Sequence, residues 1–464
     1  MAKDVVPQVH FYDQDFVYLY GRTWAWINEY FNNKAKTTNT GTISLYDTCI
    51  NSLFLAYSNS TCDPFADVDY FYSQQGANGA IFDTYNLENN EPVFTENNPT
   101  GLSMPLLPYV EFFFYHKTGE KKRLKTVVEN LGKYFDYLME TYKDENGFYT
   151  SGNTSLIGDI PRDNVKYSID FNALIANAAL YMAYIGDVLN DKEISFKYRR
   201  IYYGIKTRIN NSMWDSEDGF YYDLDANLEK IKAKHIGAFF TMVAEIPNNE
   251  YAGLLIEQLK NPDEFGTNNP FPTVPVSSPY FSETGNGNIS GVVPFFTYLI
   301  IKGLDKYDNF VFSRECAIRH LYFILDSISP PDEQATGDFY EIYLPNAEGP
   351  STSSDPKFVN RKHHLPMLGI VSISLMIENI LGFDISLPRK TIDWNMPSLE
   401  PMGIEKISLK KNYVTILANK NSNGWEIRLE SDKLYYFTIH IFDTNTKKNL
   451  PIPSGKCSML MDQI

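Results

Sequence analysis

The stretch Met213-Trp214-Asp215-Ser216-Glu217-Asp218-Gly219-Phe220-Tyr221-Tyr222-Asp223 sets an acidic, aromatic turn between two helical segments, and Ile236-Gly237-Ala238-Phe239-Phe240 opens the second. Helical patterning extends outward from this turn over about residues 10–382. Leu124, Val127, Val128, Leu131, Phe135 and Leu138 recur at helical spacing with Lys and Glu between them, which predicts a helix with one buried face. The preceding segment, Met104–His116, is apolar nearly all round and predicts a buried helix.

This alternation repeats. Segments 170–189, 236–246, 291–304 and 365–381 read as buried helices, whereas 10–33, 120–142, 193–212, 250–260 and 309–327 read as one-sided ones. About twelve helices in alternating order are what a toroid of six helical hairpins, an (α/α)6 barrel, requires. Its inner helices are covered on both sides and its outer ones face water. Polar connections at 77–103, 143–166, 213–234, 262–290 and 329–364 are long enough to carry function.

After Pro388 the period changes to two. Segments 404–409, 413–418, 425–429 and 434–442 alternate apolar and polar residues, predicting a small C-terminal antiparallel β-domain. The expected division is therefore 1–388 and 389–464, with a linker near 384–400.

The composition, 43% hydrophobic and 21% charged over 464 residues, is that of a globular chain. A net charge of -16 argues against nucleic acid or an anionic membrane surface as partner. The longest apolar run, Val292–Ile301, is too short and too interrupted to span a bilayer. Cys49, Cys62, Cys316 and Cys457 lack metal-ligand spacing and read as free thiols. Asp223-Leu224-Asp225 begins like a calcium loop, but Leu228 and Lys234 occupy its glycine and glutamate positions. No metal or cofactor is implied.

The 33 Tyr, 31 Phe and 5 Trp supply rings for a sugar cleft as well as a core. Glycoside hydrolysis needs a protonated carboxyl at the leaving oxygen and a second carboxylate that activates water or attacks carbon. Asp159, in Gly158-Asp159-Ile160-Pro161-Arg162, lies in extended backbone ahead of a buried helix, with Asp163 and Asp170 as rivals. Glu341, in Asp338-Phe339-Tyr340-Glu341-Ile342-Tyr343, reads as a lone acid in an aromatic setting.

Several motifs together resemble glycoside hydrolase family 63, particularly its bacterial mannosylglycerate-hydrolase-type and trehalase-like members. Tyr46-Asp47-Thr48-Cys49 resembles the family's early Trp-Asp-Thr segment, and Phe71-Tyr72 with Gln75, Gly79 and Ile81 resembles its third helix. Asn98-Pro99-Thr100 leads into a similar fourth helix, and Trp214–Asp223 is similar to the family's Trp and Gly-Phe-Tyr-Tyr-Asp run. Gly158–Arg162 sits where the family carries its acid, and Glu341 with Tyr343 and Pro345 where it carries its base. The run at Gly424 resembles the family's terminal β-domain.

The resemblance implies hydrolysis of an α-linked glycoside, a small glycoside or oligosaccharide, with inversion. Asp159 would be the acid and Glu341 the base, their carboxyls roughly 6.5–9.5 Å apart. Tyr46, Asp47, Gln75, Arg162, Trp214 and Tyr343 would line the pocket.

Three departures stand out. Anchored on Pro161-Arg162, the family's acid falls on Gly158. Its Trp- and Arg-bearing run appears as Asn288–Pro294, and its Gly-Trp before the last inner helix is replaced around Asn360–His364. These losses motivate a second reading, a catalytically impaired sugar-binding relative. An epimerase or lyase on the same toroid would instead need a His or Tyr base at the cavity centre. His363-His364 has no spaced third ligand and reads as a surface or cleft-edge pair. No signal peptide is expected from the opening residues; the compartment, cytoplasmic or periplasmic in a bacterium, stays open.

Overall fold

The structure is a computed structural model. It describes residues 6–32, 41–58, 62–152, 154–158, 160–329, 337–409, 412–422, 424–452 and 454–461. Asp159 lies outside the described residues.

The helices are α1 (Gln14–Asn32), α2 (Leu45–Leu55), α3 (Ala66–Ser73), α4 (Leu107–Thr118), α5 (Lys121–Tyr142), α6 (Ile169–Leu189), α7 (Lys192–Arg208), α8 (Phe240–Val243), α9 (Asn249–Lys260), α10 (Pro294–Lys306), α11 (Phe310–Ile328) and α12 (Leu365–Gly369). A π-helical segment, Ile370–Ile380, continues α12. The expected alternation is present: nearly every residue of α6 is buried, whereas α5 buries Leu124, Val127, Leu131 and Phe135 along one stripe. By length and composition α6 could cross a membrane, but 78% of that window is buried inside the protein. Helices α2, α4, α6, α8, α10 and the π segment touch in that order, and the π segment touches α2 again.

Two buried helices are shorter than their patterns. The 236–246 segment begins as a 3-10 turn, Ile236–Phe239, where a Cβ on Gly237 would stand 2.6 Å from that of Asp170. Its helix ends at Val243, and Glu245, with a φ of 54°, turns the chain aside two residues before Pro247. The segment expected from Gly291 starts at Pro294, a residue whose fixed φ suits the first helical turn. Val292 is held in extended backbone, exchanging hydrogen bonds of 2.9 Å with Tyr343.

The strands are β1 (Gln8–His10), β2 (Thr42–Ser44), β3 (Thr84–Asn86), β4 (Trp214–Asp215), β5 (Phe220–Tyr221), β6 (Asp223–Leu224), β7 (Lys230–Ile231), β8 (Phe383–Ser386), β9 (Thr391–Met396), β10 (Met402–Leu409), β11 (Asn412–Asn421), β12 (Gly424–Ser431), β13 (Tyr435–Ile441), β14 (Thr446–Ile452) and β15 (Gly455–Met461). C-terminal strands form two sheets, ordered β1-β10-β11-β12-β15 and β14-β13-β9-β8. The pairs are antiparallel except β9–β13, which runs parallel because the chain crosses through the other sheet between them. β1 reaches this region from the N-terminal end of the chain, Gln8 lying opposite Glu405.

Candidate functional site

The buried helices present their N-termini to the long loops, and two groups of charged side chains gather there. An N-terminus carries unsatisfied N–H groups and a partial positive charge, so carboxylates are favoured beside it.

The first group forms around Arg361. Asp47 stands in the first turn of α2, behind the Ser44 cap that accepts from its backbone N–H at 3.3 Å. Arg361 donates from Nη1 to Asp47 Oδ2 at 2.8 Å, and from Nε and Nη2 to the two oxygens of Glu341 at 2.7 Å each. Glu341 is thus not a lone acid. His364, capping α12, places Nε2 3.3 Å from Asp47 Oδ1. Burial alone would raise the pKa of Asp47, but His364 and Arg361 hold it well below the usual carboxylate range. Tyr46 meets Phe295 edge-on at 5.6 Å, and its phenol is pushed far up by burial, then by Glu341 and Asp47. Asp83 accepts from the Tyr46 backbone N–H at 3.3 Å, and burial raises its pKa. Asp47 and Arg361 also line a cavity of about 750 Å³ whose wall includes Trp26 and Phe339 but neither Glu341 nor Tyr46.

The second group forms around Arg162. Its Nη1 lies 3.0 Å from Asp170 Oδ1, in the first turn of α6, and 3.4 Å from Asp223 Oδ2. His235 Nε2 is 3.0 Å from the same Asp223 oxygen, and Asp223 Oδ1 accepts from the Ile169 backbone N–H at 2.7 Å. Burial opposes the Asp223 charge, yet His235 and then Arg162 lower its pKa. Arg162 Nη2 also donates to Ser155 Oγ at 2.8 Å, which donates to Gly158 O at 2.5 Å. The residues flanking position 159 are therefore anchored to the Arg162 network.

One segment joins the groups. A Cβ on Gly158 would meet Asn288 at 2.6 Å, so residue 288 packs against the loop of the second group. Four residues on, Val292 pairs with Tyr343, two residues from Glu341. Thr273 bonds Gly291 O at 3.1 Å and accepts from Ile236 at 2.9 Å, which continues the ladder to the His235 turn.

The other expected residues have local partners. Gln75 donates to Gly79 O at 3.0 Å and to Asn130 O at 2.9 Å, bracing α5. Trp214 is 6% exposed and lies flat on Tyr251, with ring centroids 4.0 Å apart. Tyr343 is buried, its hydroxyl accepting from the Tyr340 backbone N–H at 2.9 Å. His363 and His364 part company: His363 is exposed beside Asp338, whereas His364 is buried on Asp47. Sequence reasoning missed the roles of Arg361, Asp83 and His235. Three basic or imidazole side chains following Arg361, directly ahead of a buried helix, were the available signal for the first.

A mainly helical body, a C-terminal β-sheet domain and carboxylate groups at the ends of buried helices are features of a glycoside hydrolase. The chain belongs to the mannosylglycerate hydrolase MGH1-like glycoside hydrolase family, whose domain model matches residues 67–355, more than half of its length. A trehalase C-terminal domain model matches residues 382–464. An uncharacterized protein of Borreliella burgdorferi is 41% identical over 477 residues, covering 100% of both chains.

Among solved structures, a sialidase covers 96% of this chain at 13% identity and a TM-score of 0.71; the chain spans 41% of that protein's length. A family 63 mannosylglycerate hydrolase of Thermus thermophilus, in complex with Tris, covers 72% of this chain and 93% of its own at 15% identity and a TM-score of 0.58. A family 78 rhamnosidase of a Bacillus species covers 93% of this chain and 42% of its own, at 13% identity and a TM-score of 0.64. At these identities the likeness is one of fold.

Proposed function

We propose that the protein hydrolyses an α-linked glucoside or mannoside with inversion, within a toroid of six helical hairpins. The closed order of contacts from α2 round to the π segment supports the toroid. The carrying observation for the chemistry is the hold of Arg361 on Glu341 and Asp47. A general base must be held in place, and a bidentate guanidinium does this while leaving each carboxylate oxygen a second lone pair for water. Asp159 is the acid, on the loop that Arg162 anchors through Ser155 and Gly158. Asp47 and Tyr46 bond the sugar. The segment from Asn288 to Val292, packed against Gly158 and paired with Tyr343, links the Gly158 turn to the strand beside Glu341.

A second reading, a sugar-binding relative with impaired catalysis, is favoured by one observation: both oxygens of Glu341 are already engaged by Arg361. One experiment separates the two. A panel of α-linked disaccharides and aryl glycosides is incubated with wild type and Glu341→Gln, following anomers by proton NMR. Release of the β-anomer by wild type, falling about 10²–10⁴-fold in the variant, is the expected result. Retained configuration would overturn inversion. Silence across the panel, with the same sugars raising the melting temperature, would favour the binding-only reading.

A further inference from the structure

A larger cavity, about 1240 Å³, lies at the other end of the buried helices, between their C-terminal turns and the sheet formed by β14, β13, β9 and β8. Asp47 stands in the first turn of α2 whereas Tyr57 follows its last, so this cavity is the length of α2 away, about 16 Å.

Its lining is aromatic and doubly charged. Ten Phe and Tyr rings face it, with five Lys or Arg and six Asp or Glu side chains, close to electrical balance. Much of the polar lining is internally bonded: Glu378 accepts from Tyr57 at 2.7 Å and pairs with Lys302 at 2.8 Å. Lys302 also reaches Asp305 at 3.3 Å, and Tyr109 and Tyr298 place their hydroxyls 3.4 Å apart.

Lys117 is a buried exception. It is only 9% exposed, in the last turn of α4, and its one hydrogen bond among the described residues is a long one, 3.4 Å to Ile385 O. No carboxylate of the described residues lies within 4.0 Å of it. The ammonium instead rests over the rings of Tyr57 and Phe113, at 5.2 and 5.1 Å. A buried cation that uses one of three donors, in the wall of an open cavity, is arranged for an acceptor from outside.

We infer that this cavity is a second, non-catalytic binding site for a neutral oligosaccharide. Sugar C–H faces suit the rings of Tyr184 and Phe112 in its lining, and sugar hydroxyls accept from Lys117 and donate to Asp384 and Asp393. The near balance of charge selects a neutral ligand over an anion, and the volume exceeds that of a single sugar ring.

The test is hydrogen–deuterium exchange of the full chain with maltotriose, and separately with glucuronate and inorganic phosphate. Maltotriose should slow exchange in residues 109–118, 298–306 and 383–395, an effect that does not depend on the catalytic end. Lys117→Met should weaken it at least tenfold without loss of fold, because it removes a poorly paired buried charge. Tyr184→Leu provides an independent check from the neighbouring helix α6. Protection confined to residues 45–47 and 341–361, protection by the anions alone, or an unaltered response in both variants would each overturn the assignment.

Discussion

Arg361 grips both oxygens of Glu341 at 2.7 Å and reaches across to Asp47 at 2.8 Å, tying the base of the proposed reaction to the first turn of α2. Lysine would keep the charge but not the fork. Arg361→Lys should therefore lower kcat by about 10–100-fold, the loss of a charge-assisted hydrogen bond of about 1.5–3 kcal/mol, with KM changing less. Steady-state kinetics on a cleaved panel substrate check this. A change in KM alone would make Arg361 a substrate contact rather than a positioning residue.

Arg162 is 8% exposed between two carboxylates that are 0% and 2% exposed. Removing it leaves Asp170 and Asp223 facing each other, with His235 as the remaining side-chain partner of Asp223. Arg162→Met should destabilise the fold by about 3–5 kcal/mol, read from urea unfolding. Asp223→Asn combined with Arg162→Met should recover part of that loss. Additive losses would deny the coupling.

Much of the fold was legible because burial writes a period into the chain. The stripe of α5 and the all-round apolar α6 each follow from local spacing. Local patterning cannot report partners far along the chain. Asp47 meets Arg361 across 314 residues and His364 across 317, and no motif links those positions. The parallel β9–β13 pair was hidden for the same reason: alternation marks strands but not their neighbours. Glu341 was singled out by its aromatic setting, whereas the guanidinium that fixes it comes from the next turn of the same loop.

His320, on α11, is fully buried, and burial lowers its pKa to about 3. Its Nδ1 donates to Asn269 Oδ1 at 2.6 Å, and Asn269 in turn donates to Leu344 O at 2.8 Å, bracing the loop that carries Glu341. The unfolded chain takes up this proton near pH 6.5, the folded one only near pH 3. Between those values the unfolded state binds more protons, so stability falls as pH falls, by about 1.4 kcal/mol per unit at most. His320→Gln should flatten this part of the stability profile when urea midpoints at pH 7, 5.5 and 4.5 are compared with wild type. Parallel profiles would show that His320 is not responsible.

Trp214 decides between two uses of one ring. In the structure its face is covered by Tyr251, 4.0 Å away and tilted by 11°, and Tyr221 closes its edge at 4.7 Å. A ring packed on both its neighbours in this way braces β4 against α9. Trp214→Ala should lose about 3–5 kcal/mol of stability while KM for a cleaved glycoside stays within about twofold in the folded fraction. Tyr251→Ala should destabilise too, and the double variant should lose less than the sum, because the stacked pair is lost only once. A tenfold rise in KM with little change in stability would place the indole against the sugar, and Tyr251 would then have to swing aside on binding.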